Sequence, residues 1–278
     1  MSLAIPHNYI KQQVELALAE DIGSGDVTAR LIQADRTVTA QLISREQAIL
    51  CGAEWFNEVF QQLDQAIEIS WVASDGMQIQ ANQVICKLSG PARAILSGER
   101  TGLNFLQTLS GTATSASQYV EAIRDTKCRI LDTRKTIPNL RLAQKYAANC
   151  GGAVNHRIGL YDAILIKENH IAAAGSITKA VEQAKNLAPG LFLEVEIETL
   201  EQLKEAMKAG VERVLLDNMD TATLRQAVSI NQGKLELEAS GGISLGNIRE
   251  IANCGVDYIS IGSITKHLHA IDFSLLII

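Results

Sequence analysis

From about residue 127 onward, short β-rich apolar runs alternate with helical stretches, and that rhythm leaves few folds open to the chain. Strands joined by helices lie parallel, and a parallel sheet needs helices over its faces. The runs are residues 128–131, 163–166, 191–197, 211–216, 234–239 and 256–261. Between them, residues 177–186, 200–209, 221–230 and 246–253 carry apolar side chains at three- and four-residue spacing, the helical period. Gly210, Gly233 and Gly255 follow three of these stretches, where helix-ending glycines belong. The pattern predicts an α/β barrel.

The earlier part has another texture. An amphipathic helix over residues 8–19 precedes β-like segments at 37–49, 67–72 and 84–88. A long helical stretch over 94–124, with an interruption at Ser110-Gly111, then leads into the barrel. This predicts two domains: an α/β domain over residues 1–115, with the C-terminal tail packing on it, and a barrel over 116–278.

The chain has 278 residues, 47% of them apolar, enough to bury a large core. Its net charge of -6 argues against a surface that coats nucleic acid or anionic membrane, so any anion site must be local. Five dispersed cysteines with no C-x-x-C pair favour reduced, buried thiols over a disulfide framework or a zinc site. The first twelve residues lack a signal-peptide pattern, and no apolar run approaches the roughly 20 residues of a membrane helix. A cytoplasmic enzyme without nucleic-acid or membrane partners is the expectation.

Active sites of parallel barrels form where the strands end. Here the ends read Asp132-Thr133-Arg134-Lys135-Thr136, Lys167-Glu168-Asn169-His170, Asp217-Asn218, Ser240-Gly241-Gly242 and Gly262-Ser263. The run Glu194-Val195-Glu196-Ile197-Glu198 places three acids on one face of a strand, aimed into the barrel. Buried like charges need cations, which Arg134, Lys135, His156, Arg157 and Lys167 would supply. So many cations on one face predict a multiply anionic substrate, since arginine's planar fork matches carboxylate and phosphate. Small residues in Ser240-Gly241-Gly242 and Ser260-Ile261-Gly262, with helices starting after them, suit a phosphate. Lys167 after an apolar run equally suits an aldolase Schiff base, and an anion cradle alone suits a non-catalytic binding protein.

These residues resemble the quinolinate phosphoribosyltransferases. The likeness runs from Glu20-Asp21-Ile22-Gly23-Ser24-Gly25-Asp26 and Glu99-Arg100-Thr101-Gly102 through Asp132-Thr133-Arg134-Lys135-Thr136 and Asn155-His156-Arg157. It continues in Lys167-Glu168-Asn169-His170, Glu194-Val195-Glu196, Asp217-Asn218, Glu238-Ala239-Ser240-Gly241-Gly242 and Asp272-Phe273-Ser274-Leu275. Retention of Arg100, Arg134, Arg157 and Lys167 together favours the quinolinate enzyme over a paralogue group that shares the fold.

The resemblance implies a type II phosphoribosyltransferase: an N-terminal α/β sandwich joined to an incomplete TIM-like α/β barrel. It implies a homodimer or a dimer-based hexamer in which Arg100 serves the neighbouring active site. Arg100, Arg134, Arg157 and Lys167 would hold the quinolinate carboxylates, with His156 shaping that pocket. Lys135 would face phosphoribosyl pyrophosphate, Glu196 and Asp217 its ribose hydroxyls and Mg2+, and Ser240, Gly241 and Gly262 its 5′-phosphate. Lys135, Lys167, Glu196 and Asp217 would be catalytic, with Lys145 and His170 nearby. Asn139 and Ile137 depart from the family's usual glycine and threonine.

Overall fold

The computed structural model describes residues 3–278. Helix α1 (His7–Ile22) precedes β1 (Thr37–Ser44) and β2 (Ala48–Ile49). Next come α2 (Ala53–Leu63), β3 (Glu68–Trp71), β4 (Gln78–Ile79), β5 (Val84–Pro91) and the long α3 (Ala92–Ala122). The alternation then begins with β6 (Arg129–Leu131), α4 (Arg141–Cys150), β7 (Ile164–Ile166), α5 (Glu168–Ala174) and α6 (Ile177–Leu187). It continues with β8 (Leu193–Ile197), α7 (Leu200–Ala209), β9 (Arg213–Asp217), α8 (Thr221–Asn231) and β10 (Glu236–Ser240). Last come α9 (Ile248–Ala252), β11 (Tyr258–Ser260), α10 (Ser263–Lys266) and β12 (Phe273–Ile277).

These elements form two compact units. One takes the chain up to Ser117 together with Ile137–Gly152 and His267–Ile278, and the other takes Gln118–Thr136 and Ala153–Lys266. The two residues that open the expected 1–115 domain lie outside the described residues.

In the first unit, β12, β1, β5 and β3 form a four-stranded antiparallel sheet in that order. Its buried residues Leu42, Ile85, Leu88 and Phe273 cluster with Phe56 and Phe60 of α2. Each of these side chains contributes about 1.5–3 kcal/mol when taken out of water. Helix α3 carries glycine where it meets α2. A Cβ on Gly98 would lie 2.9 Å from Phe60, and one on Gly102 3.0 Å from Phe56.

Two expectations need correction here. The expected strand 37–49 is two strands, and α3 runs unbroken through Ser110-Gly111. Gly111 is a contact residue and not a breaker, because a Cβ there would stand 2.2 Å from the His269 carbonyl oxygen. Asn139, at the family's glycine position, has φ 64°, a left-handed conformation that asparagine tolerates better than most residues. Its carbonyl accepts hydrogen bonds from Tyr9 at 2.8 Å and Gln13 at 2.5 Å.

The second unit holds the six anticipated strands in one parallel sheet, ordered β6-β11-β10-β9-β8-β7. This is the incomplete α/β barrel. Val195, Val214, Leu216, Leu237, Ala239 and Ile259 are buried within it. Capping side chains set where α6 and α8 start: Ser176 accepts from Lys179 N–H at 3.1 Å, and Asp220 from Thr223 N–H at 2.7 Å. Thr199 and Gln202 form a reciprocal capping box on α7. That box ends β8 at Ile197, so Glu198 is exposed and is not the third inward acid. Gly210 closes α7 with φ 69° as expected, whereas α8 ends on left-handed Gln232, one residue before Gly233.

Alanine is about 1 kcal/mol better than glycine inside a helix. Gly111→Ala should nevertheless destabilise the protein by roughly 1–3 kcal/mol in urea unfolding, because the overpacking against His269 outweighs that gain. A stabilised variant would contradict the contact.

Candidate active site

Side chains alternate across a strand, so Glu194 and Glu196 of β8 share a face. The register sets Glu196 and Glu238 both opposite Leu215, and Glu194 and Glu236 both opposite Arg213. The inner face is therefore layered with charge.

In one layer Arg213 donates to Glu236 at 2.7 and 3.0 Å, and its guanidinium lies 4.1 Å from the Tyr258 ring centroid and 4.9 Å from that of Phe192. Beside it, His156 Nε2 lies 3.0 Å from Glu194 and 3.5 Å from Glu238, both carboxylates being buried. His156 Nδ1 accepts the Arg157 N–H at 2.7 Å, which leaves the ring proton on Nε2, facing the acids. Burial first, then the neighbouring Glu194 charge, pushes Glu238 up to about 8. Glu194 is raised to about 6, again chiefly by burial, with Arg213 opposing the rise.

Asp132 anchors the loop that carries His156. Wholly buried at the end of β6, it accepts from His156 N–H at 2.8 Å and from the Asn155 amide at 2.7 Å. Its strand-end acid is thus structural.

Over this layer opens a cavity of about 590 Å³, lined by Arg134, Lys135, Arg157 and Lys167 together with His156, Glu196 and Ser240. Lys167 pairs with Glu196. Burial, and then the charge of Arg134, lowers the Arg157 pKa, the mark of two guanidiniums held close together. Arg134 Nε is buried with no hydrogen-bond partner. Such a cavity is electrostatically incomplete without an anion. A second hollow of about 610 Å³ in the first unit is lined by Glu20, Asp21, Thr101 and Asn104 and by no cation, so it does not suit one.

The other expected site residues lie as follows. Asp217 ends β9 opposite Ser240, and its carboxylate accepts from the Asn218 amide at 2.9 Å. Gly241 has φ 96°, and a Cβ on it would fall 2.0 Å from Asn218 Oδ1, so both backbone and space require glycine. A Cβ on Gly262 would meet Lys135 Cδ at 2.9 Å, so this glycine gives the lysine its path. His170 Nδ1 accepts the Lys167 N–H at 3.0 Å and thereby steadies that lysine's backbone. Arg100 is exposed on α3 and Lys145 is wholly buried on α4, both in the first unit.

Of the two expected helix starts, the one after Gly262 is present, since α10 begins at Ser263, and the one directly after Gly242 is not. After Ser240-Gly241-Gly242 the next helix begins only at Ile248 and has five residues, and α10, after Gly262, has four. An anion at the Gly241-Gly242 turn would meet backbone N–H groups with no helix start directly behind them.

Comparison with known proteins decides the family. Residues 26–110 match the model of the quinolinate phosphoribosyl transferase N-terminal domain, and residues 112–276 that of its C-terminal domain. The chain belongs to the quinolinate phosphoribosyltransferase family. A probable nicotinate-nucleotide pyrophosphorylase (carboxylating) of Bacillus subtilis is 41% identical over 270 residues, covering 97% of this chain and 93% of the relative. The Mycobacterium leprae nicotinate-nucleotide pyrophosphorylase is 38% identical, covering 95% of this chain and 96% of its own. The solved nicotinate-nucleotide pyrophosphorylase of Francisella tularensis superposes with a TM-score of 0.98 at 50% identity, covering 99% and 98% of the two chains.

Sequence reasoning passed over Arg213 and gave Glu238 no role, although Glu236 and Glu238 repeat on β10 the alternation that marked β8. The signal was present in the same form.

Glu238 offers a pH test. Its folded pKa lies above the ordinary carboxylate value, so the stability it contributes is full below about 4.5 and is lost as pH rises towards about 8. Glu238→Gln, neutral at every pH, should flatten that fall. Melting temperatures at pH 6 and 9 should show the variant gaining on the parent at the higher pH, by about 2–4 °C per kcal/mol recovered. Parallel melting curves would mean that Glu238 is ionised in the fold.

Proposed function

We infer that this chain transfers the phosphoribosyl group of phosphoribosyl pyrophosphate to quinolinate, releasing pyrophosphate and CO2 and giving nicotinate mononucleotide, a step in NAD biosynthesis. The observation that carries this reading is the convergence of Arg134, Lys135, Arg157 and Lys167 on one cavity, with Arg134 Nε buried and unpaired. Two strongly negative substrates answer that excess of positive charge.

In this reading Arg134, Arg157 and Lys167 hold the two ring carboxylates and His156 forms the floor against the pyridine. Arg100 completes the pocket from a second copy, which makes the working form a homodimer or an assembly of dimers. Lys135 meets the pyrophosphate, and Ser240, Gly241 and Gly262 take the 5′-phosphate through hydroxyl and backbone N–H groups. Glu196 and Asp217, on adjacent strand ends, face the ribose hydroxyls. The setting is cytoplasmic, and among the described residues no helix is long and apolar enough to cross a membrane.

Glu196 and Asp217 also fit Mg2+. Both are hard oxygen donors, and two carboxylates suit an ion that keeps most of its positions for water and substrate phosphate. When bound, Mg2+ supplies charge stabilisation for the departing pyrophosphate.

The chemistry follows from charge. Lys135 stabilises the negative charge that grows as the bond from the anomeric carbon to pyrophosphate breaks and its electron pair leaves with the diphosphate. Glu196 and Asp217 favour the positive charge developing on the ribose ring. The arginines hold the pyridine so that its nitrogen lone pair forms the new bond to the anomeric carbon. The ring nitrogen is then cationic. It accommodates the electron pair left on C2 when the adjacent carboxylate departs as CO2, and C2 then takes a proton. No covalent intermediate with the protein is needed, so Lys167 acts as a charge and not as a Schiff base.

Purified protein given quinolinate, phosphoribosyl pyrophosphate and Mg2+ should yield nicotinate mononucleotide, and an unchanged mixture would reject the reading. Arg134→Ala should weaken quinolinate binding by roughly 30- to 1000-fold, corresponding to about 2–4 kcal/mol for a desolvated charge contact, while phosphoribosyl pyrophosphate binding changes little. Calorimetry with each substrate separates the two, and equal losses would contradict the assignment.

A further inference from the structure

A second cluster of chemistry-bearing side chains lies wholly in the first unit. Cys51 follows β2, Asp75 lies on the loop before β4, and Cys150 ends α4. One ligand atom from each, two sulfurs and a carboxylate oxygen, lies within 4.8 Å of the others. Cys51 is fully buried, whereas Asp75 and Cys150 are partly exposed, so the cluster has a solvent side.

Supporting contacts hold each group. Cys150 lies beside Cys51 and Asp75, and the Tyr146 hydroxyl donates to Asp75 at 3.0 Å. The backbone N–H groups of Gly52 and Ala53 donate to the two Asp75 oxygens at 3.1 Å each. Ser110 brackets Cys51, accepting from its N–H at 2.9 Å and donating to its carbonyl at 3.1 Å.

We propose that Cys51, Asp75 and Cys150 form a binding site for a soft divalent cation of the zinc class, with the Tyr146 phenol beside its fourth position. Two thiolates and one carboxylate select zinc over magnesium or calcium, whose ligands are oxygen. Zinc bonds of about 2.0–2.3 Å set tetrahedral ligands roughly 3.5–4 Å apart, a spacing this cluster reaches with little movement. Asp75 also caps α2, and the two roles are compatible, because Oδ1 accepts from Ala53 N–H and keeps a second lone pair for the cation, while Oδ2 takes the Gly52 N–H and the Tyr146 hydroxyl. Donors behind a ligand orient it, which gives the Gly52, Ala53 and Tyr146 bonds a purpose beyond the cap. A disulfide would use the sulfurs and leave the convergence of Asp75 and Tyr146 on them unexplained. On binding, both thiols lose their protons to solvent and the cation ties three separated segments together. Sequence spacing hides such a site because the ligands meet only in the fold.

The test uses full-length, reduced, metal-stripped protein titrated with Co2+ and then Zn2+. Thiolate-to-cobalt charge-transfer absorption should grow to one equivalent and vanish on adding zinc, and zinc should raise the melting temperature. Cys150→Ser should lose much of the absorption, and both it and Asp75→Asn should bind cobalt and zinc at least about 10-fold more weakly, while Cys128→Ser behaves as the parent. Asp75→Asn retains a capping oxygen, and melts of the metal-free variants check that each is folded. Absence of the absorption in the parent overturns the proposal, as does parental cobalt and zinc affinity in folded Asp75→Asn and Cys150→Ser.

Discussion

Buried carboxylates on the inner face of a parallel sheet set the terms for the second unit. Glu194 and Glu238 are fully buried, and neither tolerates a bare negative charge in that position. The protein answers them from one side with Arg213, held between two aromatic rings, and from the other with His156. Glu238, raised to about 8, is largely protonated at neutral pH, whereas Glu194, raised to about 6, is not, so the layer carries one buried charge fewer than its two acids suggest. The cations above it, Arg134, Arg157, Lys135 and Lys167, face a cavity whose lining acids are Glu196, paired with Lys167, and the raised Glu238. An anionic pair of substrates completes the balance.

Positioning of those cations rests on local devices. Asp132 fixes the segment that carries His156 and Arg157, His170 steadies Lys167, and the missing side chain of Gly262 leaves room for Lys135. They decide where the charged groups stand, which is what an electrostatically preorganised site requires.

Much of this was legible in the sequence because periodicity is a direct readout of one-sided burial. The six barrel strands lie within a residue or two of their apolar runs, and the inward face of β8 was read from Glu194 and Glu196. Glu198 failed because the cap formed by Thr199 and Gln202 ends the strand first. Ser110-Gly111 failed because a glycine that breaks a helix and one that admits a neighbouring carbonyl look alike in sequence. Arg213 and the meeting of Cys51 with Cys150 depend on contacts between distant segments, which no local pattern records.

The central claim is that Arg134 and Arg157, held side by side at the cavity, are answered by the two carboxylates of the ring. Binding of quinolinate and of nicotinate, the same ring with one carboxylate, measured by calorimetry without phosphoribosyl pyrophosphate, tests it most directly. The account predicts at least about 100-fold tighter binding of the dicarboxylate, two desolvated charge contacts being worth several kcal/mol. Equal affinities would contradict it.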